Sequence, residues 1–423
     1  MKEEFITYLW QNRLLEPVGL LTTDSREVSI VEPGSLNHDS GPDFTAARIR
    51  IGNTLWAGNA EIHIRSSDWY KHKHHLDPAY DNTILHIVYE YDGEARNSKG
   101  EVIPALQVKN RFRENILRNY LYLKSAKTWV PCQQTIHHAD GFVTRNWLAR
   151  LLVERLERKT SEILHYLRYF EQNWEYTFYF LLARNFGFKV NSIPFGMLIQ
   201  KTPFQVLLKN RDRLEVLEAL LFGQAGLLAD TFQDDYPKML QTEYGYQRKL
   251  HHINPINRSI WKFSRMRPTN FPTIRIAQYA MLLHKSEKLF DLAVGSKERL
   301  SFRRIMGVRA SSYWDGHYRF DKASAHSPKV LGEEAVNNLM INTIIPVMFL
   351  YGKENMKPGL SEKAIDLMQT IPAERNQVIS KWTGLGIKPC NAAESQALIE
   401  LKKHYCTPRK CLSCHIGFQI IRC

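Results

Sequence analysis

Residues 37–81 read NHDSGPDFTAARIRIGNTLWAGNAEIHIRSSDWYKHKHHLDPAYD. Pro42-Asp43 opens a run, Phe44–Ile51, that Gly52-Asn53 turns back into Thr54–Arg65; histidines crowd the segment beyond. The alternation of apolar and polar residues predicts two strands, and the Gly-Asn pair a hairpin turn between them. Such a hairpin carries Asp43 toward Glu61. Two carboxylates brought together, with imidazoles beyond them, form a donor set that holds a divalent metal and activates a water. The register decides whether they meet. With a regular two-residue turn, Asp43 faces Ile62 and the two acids point to opposite faces of the sheet. A three-residue turn, Ile51-Gly52-Asn53, or a bulge at Gly58 instead sets Asp43 across from Glu61.

Outward from the hairpin, Phe5, Leu9, Trp10 and Leu14 share one face of an expected helix in residues 1–15. A strand is expected over Glu27–Glu32, ended by Pro33-Gly34. Asp68–Tyr80 reads as helical in part, with Pro78 breaking it. Thr83–Tyr91 is a strand by its β-branched content, and Val102–Lys109 another, at an edge because of Pro104. From Phe142 the texture changes: apolar residues recur every three or four, as in WLARLLVERLERKTSEILHYL, and the chain reads as helical.

The 423 residues carry 57 Lys and Arg against 43 Asp and Glu, a net charge of +14. That balance points to an acidic partner, most economically nucleic acid. No window reaches the roughly 18–20 uninterrupted apolar residues that span a bilayer, so no membrane association is expected. The N-terminus, with two glutamates, reads as an amphipathic helix and not a signal. Five of six cysteines fall in the last 34 residues, the wrong distribution for a secreted disulfide scaffold. A cytoplasmic setting is expected.

Those cysteines include Cys406-x4-Cys411-x2-Cys414. The spacing suits a structural zinc or an iron–sulfur cluster, with Cys390, Cys423, His404 or His415 as the fourth ligand; the plain alternative is thiols on a turn-rich segment. Before them, Gly384-Leu385-Gly386 leads to a helix capped by Asn391 with Glu394 at the capping-box position, either an ordinary helix start or a phosphate-holding turn. In the histidine run, His72 and His75 on one helical face could bind zinc or manganese with Asp77. Alternatively Lys71, Lys73, His72, His74 and His75 form a phosphate-gripping wall, or a merely polar surface. His86 reads as a core or supporting histidine. Arg265, Arg267 and Arg275, and Arg303, Arg304, Arg309 and Arg319 among Tyr313, Trp314 and Tyr318, either grip nucleic acid or pack through cation–π contacts.

Pro42-Asp43, seventeen residues, then Glu61-x-His63, after a helix and a strand, resembles the restriction-endonuclease-like superfamily with its P-D…(D/E)-x-K pattern. The resemblance implies a small mixed sheet flanked by helices and Mg²⁺-dependent phosphodiester hydrolysis. Asp43 and Glu61 would be the metal ligands for Mg²⁺ or Mn²⁺, with the Ile62 carbonyl as a third and Glu3 or Glu4 assisting. His63 stands where the pattern has lysine. Either it plays the lysine's part beside Lys71 or Lys73, or the site favours a transition metal, or catalysis has been lost. Over its whole length the chain also resembles a family of bacterial proteins of unknown function, through HDSGPDF, WAGNAEIH, SSDW, RPTNFPTIRIAQ and YCTPRKCLSC. The expected architecture is an α/β N-terminal domain on a mixed, endonuclease-like sheet (1–115), a mainly α-helical body (116–385), and a C-terminal helix with a cysteine cluster (386–423). The expected function is a metal-dependent nuclease with catalytic Asp43, Glu61 and His63. The alternatives are a non-catalytic nucleic-acid-binding protein with a degraded site, and a metal hydrolase of small substrates.

Overall fold

The computed structural model describes residues 2–295 and 298–423. The chain forms two compact units, residues 1–147 with 401–423, and residues 148–400. The first unit begins with helix α1 (Glu3–Gln11) and continues through β1 (Val28–Glu32), the two-residue β2 (Ser35–Leu36), β3 (Phe44–Ile51) and β4 (Thr54–Arg65). A single helical turn, α2 (Asp68–Lys71), and two short 3-10 turns lead to β5 (Thr83–Glu90), β6 (Ala105–Gln107) and helix α3 (Glu114–Ser125).

The sheet is mixed, in the order β1-β3-β4-β5-β6, with β2 added beside β3. β1, β3 and β4 run antiparallel, while β4, β5 and β6 are parallel neighbours. A mixed sheet accompanied by helices is what the resemblance implied. β6 lies at the edge of the sheet, where Pro104 costs no ladder bond; its carbonyl still accepts the His86 N–H. Along β3 the buried residues are Phe44, Ala47, Ile49 and Ile51, with Arg48 and Arg50 exposed between them. On α1, Phe5, Leu9 and Trp10 are fully buried, and the Trp10 indole N–H donates to the Pro33 carbonyl at 2.9 Å.

The hairpin register is resolved by a bulge. Gly52, at φ +59°, makes the two-residue turn and Ile51 pairs with Thr54. That register holds down to Ala47 against Gly58, then shifts so that Phe44 pairs with Ala60. The extra residue is in β3, at Thr45-Ala46, where Ala46 takes φ +56°. The next pair along is Asp43 opposite Glu61, and the acids share a face.

Gly58, the bulge site offered as the alternative to a three-residue turn, serves another purpose. A methyl there would stand 2.5 Å from Ile84 Cγ2 and 2.7 Å from the Asn82 carbonyl oxygen, where β4 and the start of β5 come close. Gly58→Ala is expected to lower unfolding stability by about 1–3 kcal/mol, read from urea denaturation.

The second unit, residues 148–400, is almost entirely helical apart from the short hairpin His317–Arg319 and Lys322–Ala323. Its arginines are largely used internally. Arg275, nearly buried, donates to Asn270 and Gln278 and covers the Phe188 ring, Arg319 lies over Phe263 and Phe271, and Arg309 pairs with Asp315. RPTNFPTIRIAQ is thus a helix start fastened to its surroundings, and Arg267 in it is exposed. Gly384-Leu385-Gly386 closes a helix, with Gly386 at φ +86°. Asn391 caps the following helix by accepting the Glu394 N–H, while Glu394 reaches back to the Cys390 N–H. Among the described residues, one helical stretch, Glu333–Glu354, is long and apolar enough to cross a membrane, and 78% of its apolar window is buried inside the protein.

Candidate metal centre

Asp43 and Glu61 each hold the other strand's backbone. The Asp43 N–H donates to Glu61 Oε2 at 2.8 Å, and the Ile62 N–H donates to Asp43 Oδ2 at 3.1 Å. This cross-strand clasp fixes both carboxylates without using up their remaining lone pairs. Two residues on, and therefore on the same face of β4, His63 is 1% exposed. Its Nδ1 lies 2.8 Å from Nε2 of His86 on β5, and its Nε2 lies 3.0 Å from His72 Nδ1. Glu61 Oε1 stands 3.4 Å from His74 Nε2 and 3.7 Å from His63 Nε2. His63, His72 and His74 can each offer a ligand atom, and these atoms all lie within 4.8 Å of one another.

The local sequence explains how the histidines arrive. Ser66 and Ser67 fasten the loop after β4 to Asp92, through both hydroxyls and the Ser67 N–H. Asp68 accepts the Arg65 N–H, and Trp69 turns inward, fully buried, its indole N–H donating to the Arg96 carbonyl at 2.8 Å. The helix then stops at Lys71, because Lys73 takes the left-handed conformation at φ +64°. That reversal sends His72 and His74 toward the sheet, and His75 away to pack on Tyr70. The expected pairing of His72 with His75 on one helical face is therefore replaced by His72 with His74. Asp77 caps the next turn through the Ala79 N–H. Trp69 meets the rings of His74 and His86 at 5.3 and 5.2 Å, and Tyr80 stacks on His74 at 3.9 Å.

Burial, then the neighbouring Asp43, push the Glu61 carboxyl up to about 8. Burial also raises Asp43 and Glu3. Glu3 is the acid of α1 that belongs electrostatically to the site: after burial, Asp43 and Asp68 raise its carboxyl, while His72 and the Ile64 backbone N–H oppose the rise. Glu4 is taken instead by Lys124 and Tyr120. Burial lowers His74 to about 4 and His86 to about 3, and holds His63 further down still. Without a cation, then, the site consists of crowded acids that resist ionising beside imidazoles that refuse protons. His74 Nε2, though buried, has no hydrogen-bond partner. An arrangement of this kind is satisfied by a divalent ion, which needs deprotonated carboxylates and neutral imidazoles together.

The sign of the pH dependence follows. The lowered histidines bind protons more readily in the unfolded chain, so their contribution to stability is lost as pH falls below 6.5. Glu61 acts oppositely: its contribution, full below 4.5, is lost as pH rises through about 8. The melting temperature of metal-free protein, measured across this range, is expected to peak near pH 6.5.

The other expected residues fall outside this group. Lys71 pairs with Asp68 at 2.9 Å and is mostly exposed, as is Lys73, so neither supplies a cation beside His63. Cys390 is exposed and belongs to the second unit, as does Arg267. All six cysteines are free. Sequence reasoning gave no role in the site to Trp69 and Tyr80, although Trp69 closes the SSDW motif and the two flank the histidine run.

Sheet and site together define a mixed-sheet protein with a histidine group able to hold a divalent metal. The Asp/Glu-with-Lys triad of the P-D…(D/E)-x-K pattern is not formed, because His63 occupies the lysine position. The chain belongs to the family described as protein of unknown function DUF2851, matched over residues 3–377. That span includes HDSGPDF, WAGNAEIH, SSDW and RPTNFPTIRIAQ and ends before the cysteine tail. No curated protein and no solved structure matches the chain.

Proposed function

We propose that the protein binds nucleic acid on an endonuclease-like scaffold and holds a transition-metal ion at the hairpin, without lysine-type phosphodiester hydrolysis. The observation that carries this reading is His63. In the resembling nucleases a lysine at this position orients the attacking water and offsets charge on phosphate. Here the side chain is buried and uncharged, with both nitrogens engaged by His86 and His72. Imidazole donors also change the metal: Mg²⁺ takes oxygen ligands, whereas Mn²⁺, Fe²⁺ or Zn²⁺ suit a mixed carboxylate and imidazole set. Asp43, Glu61, His72 and His74 would be its ligands. The net charge of +14 favours a polyanionic partner.

Binding to labelled DNA and RNA oligonucleotides at graded salt tests this. Affinity should fall steeply with salt and be unchanged in Asp43→Ala and Glu61→Ala, with no cleavage in Mg²⁺. A second reading, hydrolysis by a metal-bound water, draws on the convergence of Glu3, Asp43 and Glu61. Cleavage that requires Mn²⁺ or Zn²⁺ and disappears in both variants would establish it. Turnover of a small phosphorylated or carboxylated substrate without polynucleotide binding would point to the small-molecule hydrolase.

A further inference from the structure

The tail motif Cys406-x4-Cys411-x2-Cys414 supplies three sulfurs, and a further buried cysteine, Cys132, lies far up the chain in the same compact unit. Residues 130–140 pack beneath the C-terminal helix, His415–Arg422. The Asp140 N–H donates to Gln419 Oε1 at 2.9 Å. Trp147 stacks on His415 at 4.4 Å and meets the edge of Tyr405 at 5.2 Å. Cys132 stands in this segment and is 8% exposed, buried as are Cys406 at 9% and Cys414 at 7%.

The tail is built as a tight knuckle. The Arg409 N–H donates to the Cys406 carbonyl at 3.2 Å, and the Cys414 N–H to the Cys411 carbonyl at 3.3 Å. Gly417 has no room for a side chain, since a Cβ would sit 2.2 Å from the Cys411 carbonyl oxygen. The Arg409 guanidinium binds the carbonyls of Lys124 and Ala126, which anchors the loop between the cysteines.

Burial comes first in holding these thiols above their ordinary range, Cys132 and Cys411 up to about 12, and the neighbouring sulfurs add to the rise: Cys414 and Cys411 at Cys132, and Cys414, Cys132 and Cys411 at Cys406. Burial raises the Cys414 thiol as well, against the opposing pull of the backbone N–H groups of Ile416 and Gly417 at the start of the C-terminal helix. A lone buried cysteine fills space as a small apolar side chain, whereas buried sulfurs near enough to raise one another ionise together when a cation takes up their charge.

We propose that Cys132, Cys406, Cys411 and Cys414 form a tetrathiolate zinc site that ties the tail to the loop around residue 130. The argument is independent of the hairpin centre. Among the described residues the one group with ligand atoms all within 4.8 Å is His63, His72 and His74, so these sulfurs stand wider and would close around the ion. Tetrahedral sulfur ligation suits Zn²⁺. Binding forms four Zn–S bonds and releases the four thiol protons to solvent, with no change of oxidation state.

The test uses the full chain carrying Asp43→Ala and Glu61→Ala, which empties the hairpin. Elemental analysis should find about one zinc per chain, lost on adding Cys132→Ser, Cys406→Ser, Cys411→Ser or Cys414→Ser, and kept in Cys390→Ser and Cys423→Ser. To separate loss of a ligand from loss of the fold, Co²⁺ is exchanged into the protein with the native cysteines. Its visible spectrum should be that of a tetrahedral four-sulfur site, and a mercurial should release the ion as thiols are consumed. Zinc retained in full by Cys132→Ser, zinc lost from Cys390→Ser, a Co²⁺ spectrum of fewer sulfurs, iron in place of zinc, or no metal at all would each overturn the assignment.

Discussion

Glu61→Gln should abolish the rise in melting temperature that Mn²⁺ or Zn²⁺ produces, while making the metal-free protein more stable at pH 8. The two effects have one cause. Glu61 is 5% exposed, and burial and Asp43 hold its carboxyl protonated up to about 8. In the unfolded chain it ionises near 4.5, so every step of pH between these values favours unfolding. Glutamine keeps the oxygen that accepts the Asp43 N–H and carries no charge to desolvate. The gain at pH 8 is on the order of 2–4 kcal/mol. It should vanish at pH 4, and with it the decline in stability on the alkaline side. Metal affinity moves the other way. An amide cannot replace the carboxylate beside His74 and His63, and affinity should fall by at least about 100-fold. Wild-type affinity should itself strengthen as pH rises toward 8, because the ion displaces the Glu61 proton. Thermal melts at pH 4, 6.5 and 8, with and without metal, check all of these. A variant that loses stability at pH 8 would show that the carboxyl is not held protonated.

Trp69→Ala should have the largest effect on the fold of the first unit. The indole is fully buried, its N–H is spent on the Arg96 carbonyl, and its ring faces His63, His74, His86 and Tyr80. Removing it leaves a cavity beneath the histidines and an unpaired carbonyl, a loss of about 3–5 kcal/mol. The metal-induced stabilisation should be lost with it, because His72 and His74 are carried by the loop that Trp69 anchors. Trp69→Phe fills most of the space and should lose about 1–2 kcal/mol, chiefly the hydrogen bond, while retaining metal binding. Urea denaturation and metal titration of the two variants separate packing from ligation. Equal loss of metal in both would assign the indole N–H, and not the packing, as what positions the histidines.

The hairpin was legible because its strands alternate and Gly-Asn is a strong turn signal; the strand limits fell where the pattern put them. The bulge was not. Ala46 at φ +56° breaks the usual preference of alanine, so nothing in Thr45-Ala46 announces it, whereas Gly58 looked like the natural place for an irregularity. What glycine provides at Gly58 is close approach to Asn82 and Ile84, a tertiary fact. The histidine pairing failed for a similar reason. Helical spacing joins His72 to His75, but one left-handed residue, Lys73, cancels the helix and selects His74. Arginines beside aromatics were ambiguous on composition, and packing claimed Arg275, Arg309 and Arg319. Cys132, proposed above as a fourth sulfur, could not be found by spacing at all, since the tail cysteines lie on the other side of the whole helical unit in sequence.

The extra residue at Thr45-Ala46 works as a parity bit. A strand assigns its side chains by odd and even, and one added residue inverts the assignment for everything upstream of it. Ala47, Ile49 and Ile51 reach the core by one parity and Phe44 by the other, which frees Asp43 for the opposite face. Drawing Ala46 into a regular ladder, with the residue kept, would exchange the two: Asp43 would turn into the apolar core opposite Ile62 and Phe44 toward Glu61. Chemistry and core are thus multiplexed on one strand, and a single main-chain residue holds the switch between them.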